Sequence, residues 1–157
     1  MASAGGLSIH ASDRSTRLAH RFAVSVFCAI AAMSGACGNI NEPRKVGYFK
    51  DDVGNRILSF EMTSTTTADD AKASALSLGY TPGQMTAAYY YPKGSTIPAD
   101  GLTLARTVAA ANRVLYETPG LGQWRFVYMR GLNGTEEFHD CVETPADGLC
   151  RRRREGR

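Results

Sequence analysis

His139 is the residue whose chemistry best suits catalysis in this sequence. It lies in the segment FHDC, with Asp140 beside it and Glu137 two residues before it. An imidazole can act as a general base near neutral pH. Neighbours in a strand point to opposite faces, so Asp140 cannot orient His139 in a simple His–Asp relay. A small hydrolase centred on His139 is one hypothesis, and a structural polar pair across strands with Tyr128 or Glu137 is the alternative.

Other sequence signals of catalysis are absent. The chain contains no GxSxG, HExxH, P-loop or GxGxxG motif. Cys141, Cys150, His139 and Asp140 do not have the spacing of a recognised zinc site. We therefore expect neither a metal nor a cofactor.

Aromatic residues are concentrated in two short segments, YYYP at 89–92 and WRFVY at 124–128. In a strand Tyr89 and Tyr91 share one face, and so do Trp124 and Tyr128. Exposed rings of this kind provide rigid contact area for a protein partner. We take Tyr89, Tyr91, Trp124 and Tyr128 as candidate binding residues, and packing in the core is the alternative.

The N-terminal region has the charge pattern of an export signal. Arg14, Arg17 and Arg21 precede the uncharged run FAVSVFCAIAAMSGA at 22–36. As a helix this run would span about 22 Å, which is less than the roughly 30 Å hydrocarbon core of a bilayer. A basic segment followed by a short apolar run that ends in small residues predicts a secretory signal.

The segment Ser34-Gly35-Ala36-Cys37 resembles the lipobox of bacterial prolipoproteins. In that family the cysteine receives diacylglycerol on its thiol and becomes the first residue of the mature protein. The family usually has Leu at the position of Ser34, so secretion without lipid after cleavage at Ala36 is the alternative. The resemblance implies a membrane anchor at Cys37, and Gly38 favours the outer membrane.

The four cysteines fit this interpretation. Cys28 lies inside the signal and would be removed with it, while Cys37 would carry lipid. Cys141 and Cys150 remain, and two thiols in an exported domain predict a disulfide. Its stabilisation would be roughly 2 to 3 kcal/mol on the loop-entropy model.

Charge divides the chain into a body and a basic end. The segment RRRREGR at 151–157 carries a net charge of +4, whereas the whole chain carries +3. A block of like charges is predicted to be disordered, and it would attract anionic phosphate or remain idle in solvent. No basic groove with interleaved aromatics accompanies it, so nucleic acid is a disfavoured partner. The predicted organisation is a signal peptide at 1–36, a lipid-anchored tether at 37–45, a single domain at 46–150 and a basic tail at 151–157.

Hydrophobic periodicity and turn residues predict the elements of the domain. A capping box formed by Thr67 and Asp70 predicts a helix from Ala68 to about Leu78. Leu104, Val108 and Leu115 lie on one apolar stripe, which predicts a second helix. The predicted strands are 46–50, 56–63, 85–91 and the two strands of a hairpin within 123–141.

The hairpin is predicted from Asn133-Gly134, which suits a two-residue type I′ turn. This turn places Tyr128 opposite His139 and Arg130 opposite Glu137. The face with Val127 would then pack on the helices, and the face with the aromatic rings would be half exposed.

Together these elements predict an α+β domain of order β-β-α-β-α-β-β. We expect a two-layer sandwich in which two helices cover one face of a mainly antiparallel sheet. The expected function is that of a lipid-anchored bacterial envelope protein facing the periplasm, a non-enzymatic module that binds an envelope protein or has a structural role. The alternatives are the hydrolase centred on His139 and a binder of anionic envelope polymers that uses the basic tail.

Overall fold

The computed structural model describes residues 41–151, which form one five-stranded sheet and three helices. The α+β class is as predicted, and so is the order of the elements, except that two helices occupy the second helical region. The elements are β1 (Arg44–Lys50), β2 (Arg56–Glu61), α1 (Ala68–Leu76), β3 (Thr86–Tyr91), α2 (Ala99–Leu104), α3 (Val108–Glu117), β4 (Phe126–Arg130) and β5 (Glu136–Asp140).

The strands lie in the sheet in the order in which they occur in the chain. β2 and β3 are parallel because α1 carries the chain back between them, and every other neighbouring pair is antiparallel. β3 is the central strand, and all six of its residues are buried. A strand buried on both sides needs cover on both faces of the sheet.

The helices cover opposite faces, and this differs from the expected two-layer arrangement. One face packs against α1, and we call it the α1 face; its sheet residues are Leu58, Phe60, Ala88, Tyr90, Phe126 and Tyr128. The other packs against α2 and α3, and we call it the α3 face; its sheet residues are Phe49, Ile57, Ala87, Tyr89, Tyr91 and Val127. The sheet is therefore the middle of three layers.

Helix α1 begins as predicted. Thr67 accepts a hydrogen bond from the Asp70 backbone N–H, and the Asp70 carboxylate accepts one from the Thr67 backbone N–H. The hydrogen bonds that the Asp70 carboxylate accepts from the Thr67 backbone N–H and hydroxyl lower the pKa of Asp70. The helix buries only small side chains, Ala71 and Ala75, so it lies close to the sheet.

The predicted second helix is interrupted. α2 ends at Leu104, Ala105 has extended backbone angles, and α3 begins at Val108. The cause is Thr107, whose side chain accepts a hydrogen bond from the Ala110 N–H and so caps a new helix. Leu104 is 74 % exposed, whereas Leu115 is fully buried.

The hairpin between β4 and β5 has a different register from the predicted one. Tyr128 is opposite Phe138 and Arg130 is opposite Glu136. The Gly131 N–H donates to the Thr135 carbonyl, so the loop has three residues and not two. Gly134 takes a positive φ of 82°, which is typical of a turn followed by a glycine bulge. The shift of one residue moves every β5 side chain to the other face.

Candidate functional site

The four candidate binding residues are all in the core. Tyr89, Tyr91 and Trp124 lie on the α3 face with exposures of 1 %, 0 % and 1 %, and Tyr128 lies on the α1 face with 2 %. The expected half-exposed aromatic face is therefore wrong, because helices cover both sides of the sheet. These rings are packing residues in this structure, and none presents its face to a partner.

Trp124 is the centre of an aromatic cluster on the α3 face. Its ring makes edge contacts with Tyr89 and Tyr116, at centroid distances of 4.9 and 5.1 Å. The Tyr89 and Tyr116 hydroxyls lie 3.0 Å apart. Burial raises the pKa of both tyrosines, and each hydroxyl is thereby held neutral. Sequence reasoning missed Tyr116, whose only signal is its place beside the buried Leu115 in α3.

A disulfide joins Cys141 and Cys150, as predicted. The segment that it closes, residues 141–150, is called the disulfide loop below. It folds onto the aromatic cluster, since the Leu149 carbonyl accepts a hydrogen bond of 3.1 Å from Trp124 Nε1. The Cys150 carbonyl accepts another of 3.1 Å from Gln123 Nε2. Both sulfur-bearing residues are buried, so the disulfide completes the core of the α3 face.

His139 lies beside the disulfide loop between two carboxylates. Its Nδ1 is 3.5 Å from Asp147 Oδ2, and its Nε2 is 3.7 Å from Glu137 Oε2. Asp140 is on the other face, where its carboxylate lies 3.6 Å from the guanidinium of Arg125. The predicted separation of His139 from Asp140 is confirmed, but the shifted register places His139 opposite Val127 and not opposite Tyr128.

Among residues 41–151, the partners of the His139 ring are the two carboxylates, and neither is a hydroxyl or thiol that it could activate. Both ring nitrogens face carboxylate oxygens, whereas an activated hydroxyl or thiol would have to lie within hydrogen-bond reach of one of them. Asp147 comes from the disulfide loop, and its position beside His139 could not be read from the sequence. Within residues 41–151 no group of three or more His, Cys, Asp or Glu side chains is suited to a metal ion.

A shallow pocket lies between the first described residues and α1. It has a volume of about 210 Å³ and is lined by Glu42, Pro43, Asp70, Ala73 and Ser74. Sites for small organic ligands usually enclose about 300–1,000 Å³ and are mainly apolar. This pocket is smaller, and one of its two acidic side chains, Asp70, already caps α1.

The described chain begins and ends at the same end of the sheet. Arg44, the first residue of β1, is paired with Glu61, and Glu61 with Tyr91. β4 begins at that end as well, because the Arg125 N–H donates to the carbonyl of Tyr90. Cys150 is held there by Gln123.

Three expected features fall outside the described residues. The signal peptide at 1–36 and the lipid attachment site Cys37 precede residue 41, and most of the basic tail follows residue 151. Among the described residues, no helix has the length and apolar character to cross a membrane.

Comparison with known proteins assigns no family to the chain. No family model, no curated protein and no solved structure matches it.

Proposed function

We propose that this chain is an exported bacterial envelope lipoprotein with a single folded domain. The signal peptide would be removed before Cys37, and lipid on Cys37 would hold the domain at the periplasmic side of a membrane, with the outer membrane favoured. The domain would act as a non-enzymatic module that binds an envelope protein or has a structural role.

The disulfide between Cys141 and Cys150 is the observation that supports this proposal most strongly. Disulfides persist in oxidising compartments such as the periplasm and are rare in the cytosol. This one is part of the core of the α3 face and not an accessory on the surface. A protein whose core contains a disulfide benefits from export, and the proposed signal peptide would provide it.

The short distance along the chain between Cys37 and the folded domain makes the proposal more specific. Asn41 is the first described residue, four residues after Cys37. Four residues span at most about 14 Å when fully extended. An anchor at Cys37 would thus keep Asn41 within about 14 Å of the lipid, and the domain would find its partners close to the membrane surface.

The contacts of the chemically capable residues support a non-enzymatic role. His139 is paired with carboxylates, and the tyrosines of the aromatic cluster are buried and hydrogen-bonded to each other. Binding by such a domain would use its polar surface and its strand edges, since the four candidate rings are inside: Tyr89, Tyr91, Trp124 and Tyr128.

Intact mass measurement tests the proposal. The full chain is produced in a Gram-negative host and extracted from membranes, beside a Cys37→Ser variant. We expect a chain that begins at Cys37 and carries the mass of added acyl groups, and we expect this species to be absent from the variant. A chain cut before Cys37 without acyl mass would leave export standing and remove the anchor, whereas an uncut chain would contradict both.

A second candidate function, binding of an anionic surface by the basic tail, is favoured by one observation. The chain enters β1 and leaves the disulfide loop at the same end of the sheet. An anchor at Cys37 and the arginines from Arg151 onward would therefore be directed toward the same surface. A polybasic segment close to an anionic surface adds electrostatic attraction to the hydrophobic attachment by acyl chains.

Salt dependence separates this function from a tail without a role. Binding of the purified protein to vesicles that contain anionic lipid should weaken as salt rises, and deletion of residues 151–157 should remove the salt-sensitive part. Equal binding by the full and truncated proteins at all salt concentrations would contradict it.

A further inference from the structure

Among residues 41–151, the two edge strands of the sheet, β1 and β5, have backbone N–H and C=O groups that point away from the sheet. Within residues 41–151, β1 pairs only with β2 and β5 only with β4. Hydrogen bonds from Gly131 to Thr135 and from Cys141 to Arg125 fix which β5 residues face β4. Because these residues alternate along an antiparallel strand, the backbone N–H and C=O of Glu136 and Phe138 point outward.

The same alternation applies to β1. The Asp51 N–H donates to the Asn55 carbonyl, so Phe49 and Gly47 face β2. The backbone groups of Tyr48 and Lys50 consequently point outward. A bulge near Val46 interrupts the strand, so the regular edge runs from Gly47 to Lys50.

The two edges carry opposite charge. Every charged side chain in β1 is basic, namely those of Arg44, Lys45 and Lys50. β5 has the sequence EEFHD, in which the fixed charges are all acidic. Two copies of β1 placed side by side would bring like charges together, and so would two copies of β5. Charged edges of this kind prevent pairing of like with like.

A second copy in the same orientation would bring the two different edges together as antiparallel strands. β5 is antiparallel to β4, β4 to β3, and β1 to β2, while β2 and β3 are parallel. It follows that β5 runs opposite to β1. A copy added at the β5 edge without inversion therefore places its β1 antiparallel to β5, and the α1 faces of both copies lie on the same side.

In one register between β5 and β1, the outward backbone groups can form hydrogen bonds and the side chains form favourable pairs. It places Glu136 opposite Lys50 and Phe138 opposite Tyr48, and in both pairs the two residues have outward-pointing backbone groups. All four side chains are on the α1 face, because their partners within one copy, which include Leu58 and Tyr128, are on that face. Tyr48 is 38 % exposed and Lys50 is exposed, so both are available. The result is one pair of opposite charges next to one aromatic pair.

We propose that copies of this protein associate head to tail, with β5 of one copy paired to β1 of the next. The occupant of the β1 edge is thus a second copy of this chain. The contact is heterologous, because different surfaces of the two copies meet, and repetition forms a ring or an open row. The paired segment has only about four residues on each side, so association is reversible and depends on concentration. This inference does not depend on the lipid anchor.

Charge reversal on either edge tests the register. The protein, purified as the producing cells process it, is examined by sedimentation velocity over a range of concentrations. The average mass of the sedimenting wild-type species should increase with protein concentration. Lys50→Glu and Glu136→Lys should each need at least roughly tenfold higher protein concentration to reach the same degree of association. A mixture of the two variants in equal amounts should associate again, because the acidic side chain at position 50 of one then meets the basic side chain at position 136 of the other.

Control variants separate loss of the contact from loss of the fold. Glu136 also pairs with the buried Arg130, so Glu136→Lys is checked by circular dichroism. Tyr48→Pro serves as a second variant, since it removes the outward N–H together with the exposed ring, at a position where an edge strand tolerates proline. Lys72→Glu, on an exposed position of α1, is the matched control and should behave as wild type.

Three outcomes would overturn the proposal. The first is a wild type that keeps the mass of one chain at every concentration. The second is association that Lys50→Glu and Tyr48→Pro leave unchanged, which would place the contact elsewhere. The third is a mixture of folded charge variants that does not regain association.

Discussion

The two faces of the sheet are closed in different ways. On the α1 face, Ala71 and Ala75 of one helix pack directly on the sheet, where Phe60 and Tyr90 stack with ring centroids 4.9 Å apart. On the α3 face, helix packing is completed by the disulfide loop, whose Leu149 carbonyl binds the indole N–H of Trp124. The α1 face is completed by its helix alone, whereas the α3 face also includes an oxidised pair of cysteines. We therefore expect the stability of the α3 face, and not that of the α1 face, to depend on the oxidation state of the cysteines.

The largest expected effect comes from removing one large ring from each face. Trp124→Ala and Phe126→Ala should each reduce the free energy of unfolding by about 3–5 kcal/mol, because both side chains are fully buried. Only Trp124→Ala should also make the disulfide easier to reduce, since it removes the contact with the loop. Urea unfolding measures the first quantity, and the rate of reduction by dithiothreitol measures the second. Equal reduction rates in both variants would contradict the assignment of the loop to the α3 face.

Removal of the disulfide should have the next largest effect. The double variant Cys141→Ala and Cys150→Ala should lose roughly 2–3 kcal/mol of unfolding free energy, the value expected for a short loop. Hydrogen exchange should increase first at α3 and β5, while the amides of α1 stay protected. If removal of the disulfide increases the exchange rates of the α1 and α3 amides by the same factor, the stability of the two faces does not depend on the disulfide in different ways.

Alkaline pH should affect both faces through their buried tyrosines. Burial raises the pKa of Tyr90 to about 12, and burial also raises that of Tyr89 and Tyr116. In the unfolded chain tyrosine loses its proton near pH 10. The stabilisation from these neutral hydroxyls is thus complete below about pH 10 and is lost as the pH rises toward 12. Tyrosinate absorbance should increase together with unfolding, and full ionisation of all seven tyrosines in a folded protein would contradict this.

The helix caps give a smaller and matched pair of effects. Thr67 caps α1 and Thr107 caps α3, each through a hydrogen bond to a backbone N–H of the first turn. Thr67→Ala and Thr107→Ala should each lower the free energy of unfolding by about 1 kcal/mol. In the background without the disulfide, Thr107→Ala should cost more than Thr67→Ala, because only α3 has lost its neighbouring loop. Thermal denaturation of each variant, with and without the disulfide, measures these losses of stability. If each substitution has the same effect in both backgrounds, the cap of α3 is not coupled to the disulfide loop.

The smallest effect is expected for His139→Ala. The side chain is 22 % exposed and lies near two carboxylates without a short hydrogen bond. The free energy of unfolding of the variant should therefore be within about 1 kcal/mol of the wild-type value. The biological activity should persist, as expected for a non-enzymatic domain. Loss of activity in a variant that folds normally would favour the hydrolase alternative.

The features that could be predicted from the sequence depend on local interactions. The capping box at Thr67 and the order of the elements follow from residues near each other in the chain. The pairing of Cys141 with Cys150 follows instead from the interpretation of Cys28 and Cys37 as signal and lipid attachment residues. The break before α3 is also local, but the apolar stripe through Leu104 concealed it. A threonine cap at Thr107 competed with that stripe and prevailed.

The features that could not be predicted depend on contacts between distant segments. The Asn133-Gly134 pair fits two hairpin loops that differ by one residue, and the core on both faces selects between them. The burial of Trp124 and Tyr128 depends on helices being placed on opposite faces. Tyr89, Tyr91 and Tyr128 lie on the predicted strands and Trp124 lies just before β4, but all four side chains are in the core and not exposed.

The most direct test of the account measures the oxidation state of two cysteines inside cells. The full chain and a version that lacks residues 2–36 are produced in a Gram-negative host and denatured in the presence of a thiol-reactive reagent. Mass spectrometry then measures how many cysteines carry the label. We predict that Cys141 and Cys150 are unlabelled in the full chain until a reductant is added, and labelled in the version kept in the cytoplasm. Labelling of both residues in the full chain without reductant would contradict an exported domain whose α3 face is completed by a disulfide.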